Sequence, residues 1–150
     1  MKHTKVKALL SGSKVNTEVN AKGWVRTFRN NQFIALNDGS TIHNIQCVVD
    51  FENTAEETLK RITTGAAISV IGNLVESQGA GQKYEIQVSK LEILGDSDAE
   101  KFPMQPKKHS LEFLRENAHL RVRTNAFGAI MRVRSMLSFA VHQYFQERGF

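Results

Sequence analysis

The fold of this chain is constrained most by five short segments of strand-type sequence. A single predicted helix start lies between the third and the fourth segment. We predict strands over residues 19–28, 33–37, 45–50, 67–75 and 84–94, all rich in β-branched, aliphatic or aromatic residues and bounded by turn-forming residues. Between the third and fourth segments, Asn53 is placed as an N-cap, and Glu56 is placed to reach back to it.

This order of elements predicts a mainly β fold, a five-stranded Greek-key barrel of the OB type with one short helix. Gly72 marks a bend or bulge in the fourth strand. Trp24, in the first strand, is predicted to lie in the core or at its edge. Barrels of this type bind oligonucleotides or oligosaccharides on an exposed face and its loops, so a binding function is expected.

Four residues are candidates for that face. Side chains alternate along a strand, so aliphatic neighbours in the core leave Phe33, Gln46 and Glu85 pointing outward, and Arg29 comes shortly before Phe33. A ring, an amide and a guanidinium on neighbouring strands suit an unpaired nucleic-acid base, because they offer stacking, edge pairing and a phosphate contact. Periodicity alone leaves open that Phe33 is a core residue and Gln46 an ordinary solvated one.

Charge is unevenly distributed along the 150 residues. Residues 1–100 carry 11 Lys and Arg against 12 Asp and Glu, whereas residues 101–150 carry 9 against 3. The barrel region is therefore not a general basic surface, and we expect it to recognise nucleic acid through specific contacts rather than through its net charge.

The remaining chemistry-bearing residues predict no catalytic or metal site. Cys47, the single cysteine, falls on the predicted core face and is expected to be a buried hydrophobe rather than a nucleophile. The five histidines have no metal-site spacing. No signal peptide or run of ~20 apolar residues is found, so we expect a soluble, cytoplasmic protein that does not enter membranes.

The final third of the chain differs from the barrel region in composition and in predicted secondary structure. Residues 97–123 contain both prolines and are predicted to be a linker with a short helix that starts at Ser110. A long helix is predicted from Thr124 or Asn125 to Arg148, about 36 Å in length, with a wide apolar stripe. Nothing else in the chain is available to cover that stripe, so a fragment of a longer protein is expected.

Two groups of motifs resemble a known family over residues 19–150. They are GWVRTFR, DGS and IQCVVD in the barrel, and PKKHSLEFLRE and HLRVRTN after it. With these motifs the chain resembles the N-terminal part of the class II aminoacyl-tRNA synthetases of the aspartyl, asparaginyl and lysyl subgroup, and is most similar to the asparaginyl enzymes.

The resemblance implies that residues 1–96 are an anticodon-binding domain. Phe33 matches the family's aromatic residue that stacks on the central uridine of the anticodon, and Gln46 matches the glutamine that pairs with the edge of that uridine. Arg29 matches a basic anticodon contact, and Glu85 an acidic residue that helps to read the anticodon. The partner implied is the anticodon loop of a tRNA.

The long helix, residues 124–150, is similar to the start of the class II catalytic domain, and this implies a homodimer interface. The full-length enzyme would use ATP and Mg²⁺ to join asparagine to its tRNA. The motifs that hold ATP and the amino acid are missing from these 150 residues, so no catalytic residue is assigned.

Three other interpretations stay open. The barrel could be a general single-stranded nucleic-acid-binding OB-fold module, although such a module should have several outward aromatics and a basic groove. The chain could belong to an aspartyl-tRNA synthetase, including a type that charges both tRNAs. The chain could also be mainly a structural or dimerisation module, with the long helix as its functional part.

Overall fold

A computed structural model gives the structure of the chain, and it describes residues 2–12, 14–79 and 81–150. Ser13 and Ala80, which fall in connections between predicted elements, and Met1 lie outside the described residues. The chain divides into two compact units, residues 1–106 and residues 107–150.

The first unit contains a closed five-stranded barrel. Its strands are β1 (Thr17–Arg29), β2 (Phe33–Asn37), β3 (Ile45–Val48), β4 (Ala67–Glu76) and β5 (Tyr84–Gly95), and they close in the order β1-β2-β3-β5-β4. All pairs are antiparallel except β3 with β5. The predicted five-stranded OB-type barrel is confirmed, with one short helix, α2 (Glu56–Arg61), between β3 and β4.

The long strand β1 closes the barrel because its two halves pair with different neighbours. Residues 17–24 pair with β4, and residues 24–29 pair with β2. The register shifts between Val25 and Thr27, and a bulge of this kind bends a strand and increases its twist. β1 can therefore leave one edge of the sheet and follow the other.

Alternating inward side chains fill the barrel. Along β2 the buried residues are Ile34 and Leu36, and along β3 they are Ile45 and Cys47. The core combines residues from all five strands with two from the short N-terminal helix α1 (Val6–Leu9) and three from the connections on either side of α2: Val6, Leu9, Val19, Ala21, Val25, Ile34, Leu36, Ile45, Cys47, Val49, Ile62, Ala66, Ile68, Val70, Leu74 and Ile86.

α1 is held at its start by the turn between β2 and β3. The Val6 N–H donates to Asp38 Oδ2 over 3.1 Å, and the Lys7 N–H donates to Ser40 Oγ over 3.0 Å. Ser40 in turn donates to Asp38 Oδ1 through its N–H and its hydroxyl, at 2.9 and 2.6 Å. Asp38 and Ser40 thus each satisfy one of the backbone donors that the first turn of a helix leaves unpaired.

The predicted cap of α2 is wrong. The residue before the helix is Ala55, and no side chain caps it. Asn53 is instead bound by Asp50, whose carboxylate accepts from its N–H at 3.3 Å and from its Nδ2 at 2.6 Å. Glu56 pairs with Lys60 at 2.8 Å rather than reaching back. A competing side-chain turn at the end of β3 therefore replaces the capping box.

The second unit consists of helices α3 (Leu111–Glu116) and α4 (Asn125–Gln146), with one turn of 3₁₀ helix over Arg121–Arg123. Ser110 caps α3 and Thr124 caps α4, each accepting from the third N–H that follows, so both predicted starts are confirmed. No residue of α4 is buried, and its apolar stripe is exposed. Among the described residues, no helix combines the length and apolar composition needed to cross a membrane.

Gly72 provides a test of the barrel. A Cβ at this position would lie 2.0 Å from the backbone oxygen of Gln87, at the irregularity between Ile71 and Gly72, where the predicted bulge is found. We expect Gly72→Ala to lower the free energy of unfolding by about 1–3 kcal/mol, because the backbone of β5 has to move. Urea unfolding of the two proteins measures this difference.

The matched control for that test is Gly95→Ala, at the end of β5, where the new Cβ would meet the Ala67 Cβ at an ordinary 3.7 Å. It should unfold within ~0.5 kcal/mol of wild type, as substitutions away from strained features usually do. Equal losses in the two variants would contradict the assignment of Gly72 as a position of obligatory close approach.

Asp38 provides a pH-dependent test. Burial raises the pKa of Asp38, but the hydrogen bonds from Ser40 and Val6 and the charge of Lys5 outweigh burial, so this pKa lies below its usual value. The stabilisation is therefore complete above the unfolded pKa of about 4 and is lost as pH falls through the lower folded value.

We expect Asp38→Asn to lower the free energy of unfolding by about 1 kcal/mol at pH 7. The reason is that an NH₂ group, which cannot accept a hydrogen bond, replaces one of the two carboxylate oxygens that accept from Val6 and Ser40. The difference from wild type should shrink as the pH falls below about 4. Thermal unfolding of both proteins at pH 7 and pH 3 checks this. A difference that persists at pH 3 would show that the charge of Asp38 is not its source.

Candidate nucleic-acid interface

The outer face of the barrel presents two adjacent rows of side chains across β1, β2, β3 and β5. We call them the two-row face. The strand registers place Arg29, Phe33, Val48 and Gln87 in one row, and Thr27, Ala35, Gln46 and Glu85 in the next. All four residues singled out from the sequence therefore lie on one face, in neighbouring positions.

Phe33 lies on this face rather than in the core. Ile34 and Leu36 are fully buried, whereas Phe33 and Ala35 are half-buried, so the predicted alternation along β2 is confirmed. Arg29, the strand partner of Phe33 on β1, is exposed. The small methyl side chain of Ala35 leaves space in the second row, next to Phe33. A planar group could therefore approach the ring of Phe33 from this side.

Gln46 and Glu85 are directly bonded. The parallel register of β3 and β5 places them opposite each other, and Gln46 Nε2 donates to Glu85 Oε2 over 3.1 Å. Gln46 is half-buried, with Ile45 and Cys47 fully buried on the other side of the strand. The amide predicted to meet a base edge is thus connected to the predicted acidic residue.

Glu85 departs from the expectation of an open outward carboxylate. It lies on the outer face, since Ile86 points inward, but it is only 9% exposed. Its Oε2 accepts from Ser77 Oγ at 2.8 Å and Gln82 Nε2 at 3.2 Å in addition to Gln46, and its Oε1 accepts from Gln87 Nε2 at 2.9 Å. The start and end of the β4–β5 connection therefore cover the carboxylate.

Sequence reasoning missed Ser77, Gln82 and Gln87 as parts of this site. In the sequence, Ser77 and Gln82 fall in the connection between the fourth and fifth predicted strands, and Gln87 is one of the alternating polar residues of the fifth. The signal that could have identified them is the density of side-chain donors on both sides of Glu85, in the type of loop that OB barrels use for binding.

The carboxylate of Glu85 has hydrogen-bond donors around it rather than an ion-pair partner among the described residues. Within the described part of the chain, no Lys, Arg or His side chain lies within salt-bridge distance of it, and all four of its donors are neutral. The carboxylate is stabilised by hydrogen bonds alone. Such an arrangement fixes the direction of each donor more tightly than a single ion pair between flexible side chains does.

The prediction that Trp24 lies in the core or at its edge is wrong. Trp24 is 36% exposed, and it pairs with Asn37 on the same outer side as Phe33. The reason is that Val25, and not Trp24, is the inward residue of this part of β1. A second aromatic side chain therefore lies next to the two-row face.

Cys47 is a core residue, as predicted. It is fully buried, and burial raises the pKa of its thiol, so it is not a nucleophile at neutral pH. In the described ranges, no group of three or more His, Cys, Asp and Glu side chains is arranged to hold a metal ion. The side chains of the two-row face offer an aromatic ring and hydrogen-bonding groups.

Comparisons with known proteins agree with this geometry. Residues 19–94 match the model of the family described as OB-fold nucleic acid binding domain. The asparagine–tRNA ligase of Parabacteroides distasonis is 54% identical over 100% of the chain, and that of Cytophaga hutchinsonii is 55% identical over 100%. The chain spans about a third of the length of these relatives, 33% in each case.

A solved structure shows the same fold. The asparaginyl-tRNA synthetase of Pyrococcus horikoshii superimposes with a TM-score of 0.82 at 24% identity, over 99% of this chain and 36% of that one. The matched residues 19–94 include the whole two-row face and make up half of the sequence. The chain therefore belongs to the family of OB-fold nucleic acid binding domains.

Proposed function

We propose that the barrel, residues 1–96, binds the anticodon loop of an asparagine tRNA, as the recognition domain of an asparagine–tRNA ligase. The observation that carries the proposal is the joint placement of Phe33, Arg29 and Gln46 in two adjacent rows of one face. Similarity along the whole of this chain to one third of two asparagine–tRNA ligases, at 54% and 55% identity, supports the choice of tRNA among nucleic-acid partners.

Each residue has a role that follows from its position. The ring of Phe33 provides a stacking surface for an unpaired base, since any base has an aromatic face. Gln46 offers an amide to the edge of that base. Arg29, exposed beside Phe33, contacts a phosphate or a neighbouring base. Glu85 contributes to the reading of the anticodon from the next position in the second row.

The parent enzyme would join asparagine to tRNA in two steps, activation by ATP with Mg²⁺ and transfer to the terminal ribose. This is a proposal from the ligases named above, of which the chain matches a third. In it, the barrel selects the tRNA, residues 97–123 act as a linker, and residues 124–150 begin the catalytic domain. The enzyme would act in the cytoplasm.

Removal of the ring and the amide tests the anticodon proposal. We expect Phe33→Ala to weaken binding of an asparagine-tRNA anticodon stem-loop by roughly 5- to 150-fold, equivalent to ~1–3 kcal/mol for one stacked base. Phe33→Ala combined with Gln46→Ala should weaken it further. Fluorescence anisotropy with a labelled stem-loop measures both affinities.

The control is Leu94→Ala, which truncates a side chain that is 50% exposed at the far end of β5. It should bind RNA like wild type. Unchanged binding by the double variant would contradict the proposal. Equal binding of stem-loops that differ in the central base would favour the general single-strand module, for which the outward Trp24 is the one supporting observation.

We also propose that α4 mediates a homodimer. Side chains of its stripe are 50–73% exposed at Ile130, Val133, Met136, Leu137 and Phe139, among others, and burial of such a surface is strongly favourable. We expect sedimentation of the 150-residue chain to show concentration-dependent association, and Met136→Lys with Phe139→Lys to weaken it. A wild-type chain that remains monomeric at high micromolar concentration would contradict this.

A further inference from the structure

The side-chain amide of Gln46 is held in one orientation. A glutamine amide has an acceptor oxygen and a donor nitrogen of nearly equal size, so without a partner it can present either to a ligand. Here the partner is a carboxylate, which only accepts hydrogen bonds when it is ionised. Gln46 must therefore turn its Nε2 towards Glu85, at 3.1 Å, and its Oε1 away from it.

The other edge of this amide is open to a ligand. In the described part of the chain, no donor lies within hydrogen-bond distance of Gln46 Oε1, and this oxygen is not one of the buried atoms left without a partner. Nε2 also has a second N–H that is not used by Glu85. The amide thus presents to solvent an acceptor beside a donor, in an order that Glu85 determines.

This order matches only some bases. Uracil and guanine present a ring N–H donor beside a carbonyl acceptor, so they pair with an outward Oε1 and the adjacent N–H. Cytosine and adenine present a ring-nitrogen acceptor beside an amino donor, so in the same stacked position on Phe33 they would need the amide turned by 180°. Because uracil and cytosine have the same size and stack alike, the orientation of this amide is what separates them.

Glu85 is itself fixed. Its Oε2 also accepts from Ser77 Oγ at 2.8 Å and Gln82 Nε2 at 3.2 Å, its Oε1 accepts from Gln87 at 2.9 Å, and it is 9% exposed. Rotation of the carboxylate would break several of these bonds at once. The small exposed surface of Glu85 also limits its direct contact with RNA. Gln46, to which it is bonded, is more exposed and can contact a base.

We propose that Glu85 is a positioning residue, which fixes the amide of Gln46 so that the two-row face selects uridine over cytosine at the base stacked on Phe33. The proposal rests on the proposed function, because it assumes that an unpaired RNA base occupies this face. It assigns to Glu85 an action through Gln46 instead of a base contact of its own.

The test uses the full chain and two stem-loop RNAs that differ only in uridine or cytosine at the central loop position. Wild type should prefer uridine by roughly 5- to 150-fold, the discrimination of one bidentate amide–base pair. Glu85→Met, which removes the acceptor and keeps similar bulk, should reduce this ratio to within about threefold of unity, mainly by improving the binding of cytosine.

The positioning role is isolated on a background that lacks the amide. Gln46→Ala alone should abolish the ratio, and Glu85→Met added to Gln46→Ala should change it no further, since residues that act as a unit are not additive. If Glu85 reads a base directly, its removal will still change base preference in the Gln46→Ala background. That result would overturn the proposal.

Glu92→Met is the matched control, because it makes the same chemical change at an exposed position on the same strand. It should keep the uridine preference. If Glu85→Met does not fold, Glu85→Ala, which also lacks an acceptor, takes its place. If Glu85→Met or Glu85→Ala keeps the uridine preference of the wild-type chain, the positioning role alone is overturned. If the wild-type chain itself shows no base preference, the proposed function is overturned.

A second measurement needs no RNA. The side-chain amide signals of Gln46 in a ¹H–¹⁵N spectrum are identified by their loss in Gln46→Ala. They should move in Glu85→Met and stay in place in Glu92→Met. Signals that are unchanged in Glu85→Met would show that the bond between the two side chains does not form in solution and would overturn the proposal.

Discussion

The barrel closes around an interior of aliphatic side chains, and each strand supplies every second residue to it. Once Ile34, Leu36 and Cys47 occupy that interior, the residues between them have to face outward, since the side-chain period of a strand is two. A register slip of one residue would bury Gln46 and expose Cys47. The hydrophobic effect in the core therefore determines which polar groups are available for binding, although none of those groups belongs to the core.

Glycine positions and a bulge keep the barrel small enough for this geometry. A Cβ on Gly23 would lie 2.5 Å from the backbone oxygen of Asn37, and one on Gly72 would lie 2.0 Å from that of Gln87. Strands that approach this closely let β1 pair on both of its sides, with a bulge after Val25. The consequence is that residues 19 to 56 positions apart in sequence, such as Arg29 with Val48 and Arg29 with Glu85, come to lie in the same or in adjacent rows.

The strands and the outward position of Phe33 could be predicted because both follow from local periodicity. Trp24 was misplaced because an indole has a strong hydrophobic preference, while the small neighbour Val25 fits the narrow interior better. The cap at Asn53 failed because Asp50, three residues earlier, competes for the same donors. No periodicity could show that Ser77 and Gln82 bend over Glu85, since this contact depends on the path of a loop.

A carboxylate on a face that binds RNA is electrostatically unfavourable when its oxygens meet phosphate groups. In this structure the carboxylate of Glu85 is covered by neighbouring side chains. Four neutral donors surround Glu85, and only 9% of the residue is exposed, so its oxygens are occupied within the protein and have little direct access to a phosphate backbone. A lysine there would attract RNA more strongly, but its ammonium group would donate to Gln46 Oε1 and so favour the reversed orientation of the amide. In a barrel region whose charge is 11 positive against 12 negative residues, affinity from general attraction is already small. In the proposed role, the acidic residue lowers general attraction slightly and improves the distinction between one base and another, which is the property that a domain reading a single loop requires.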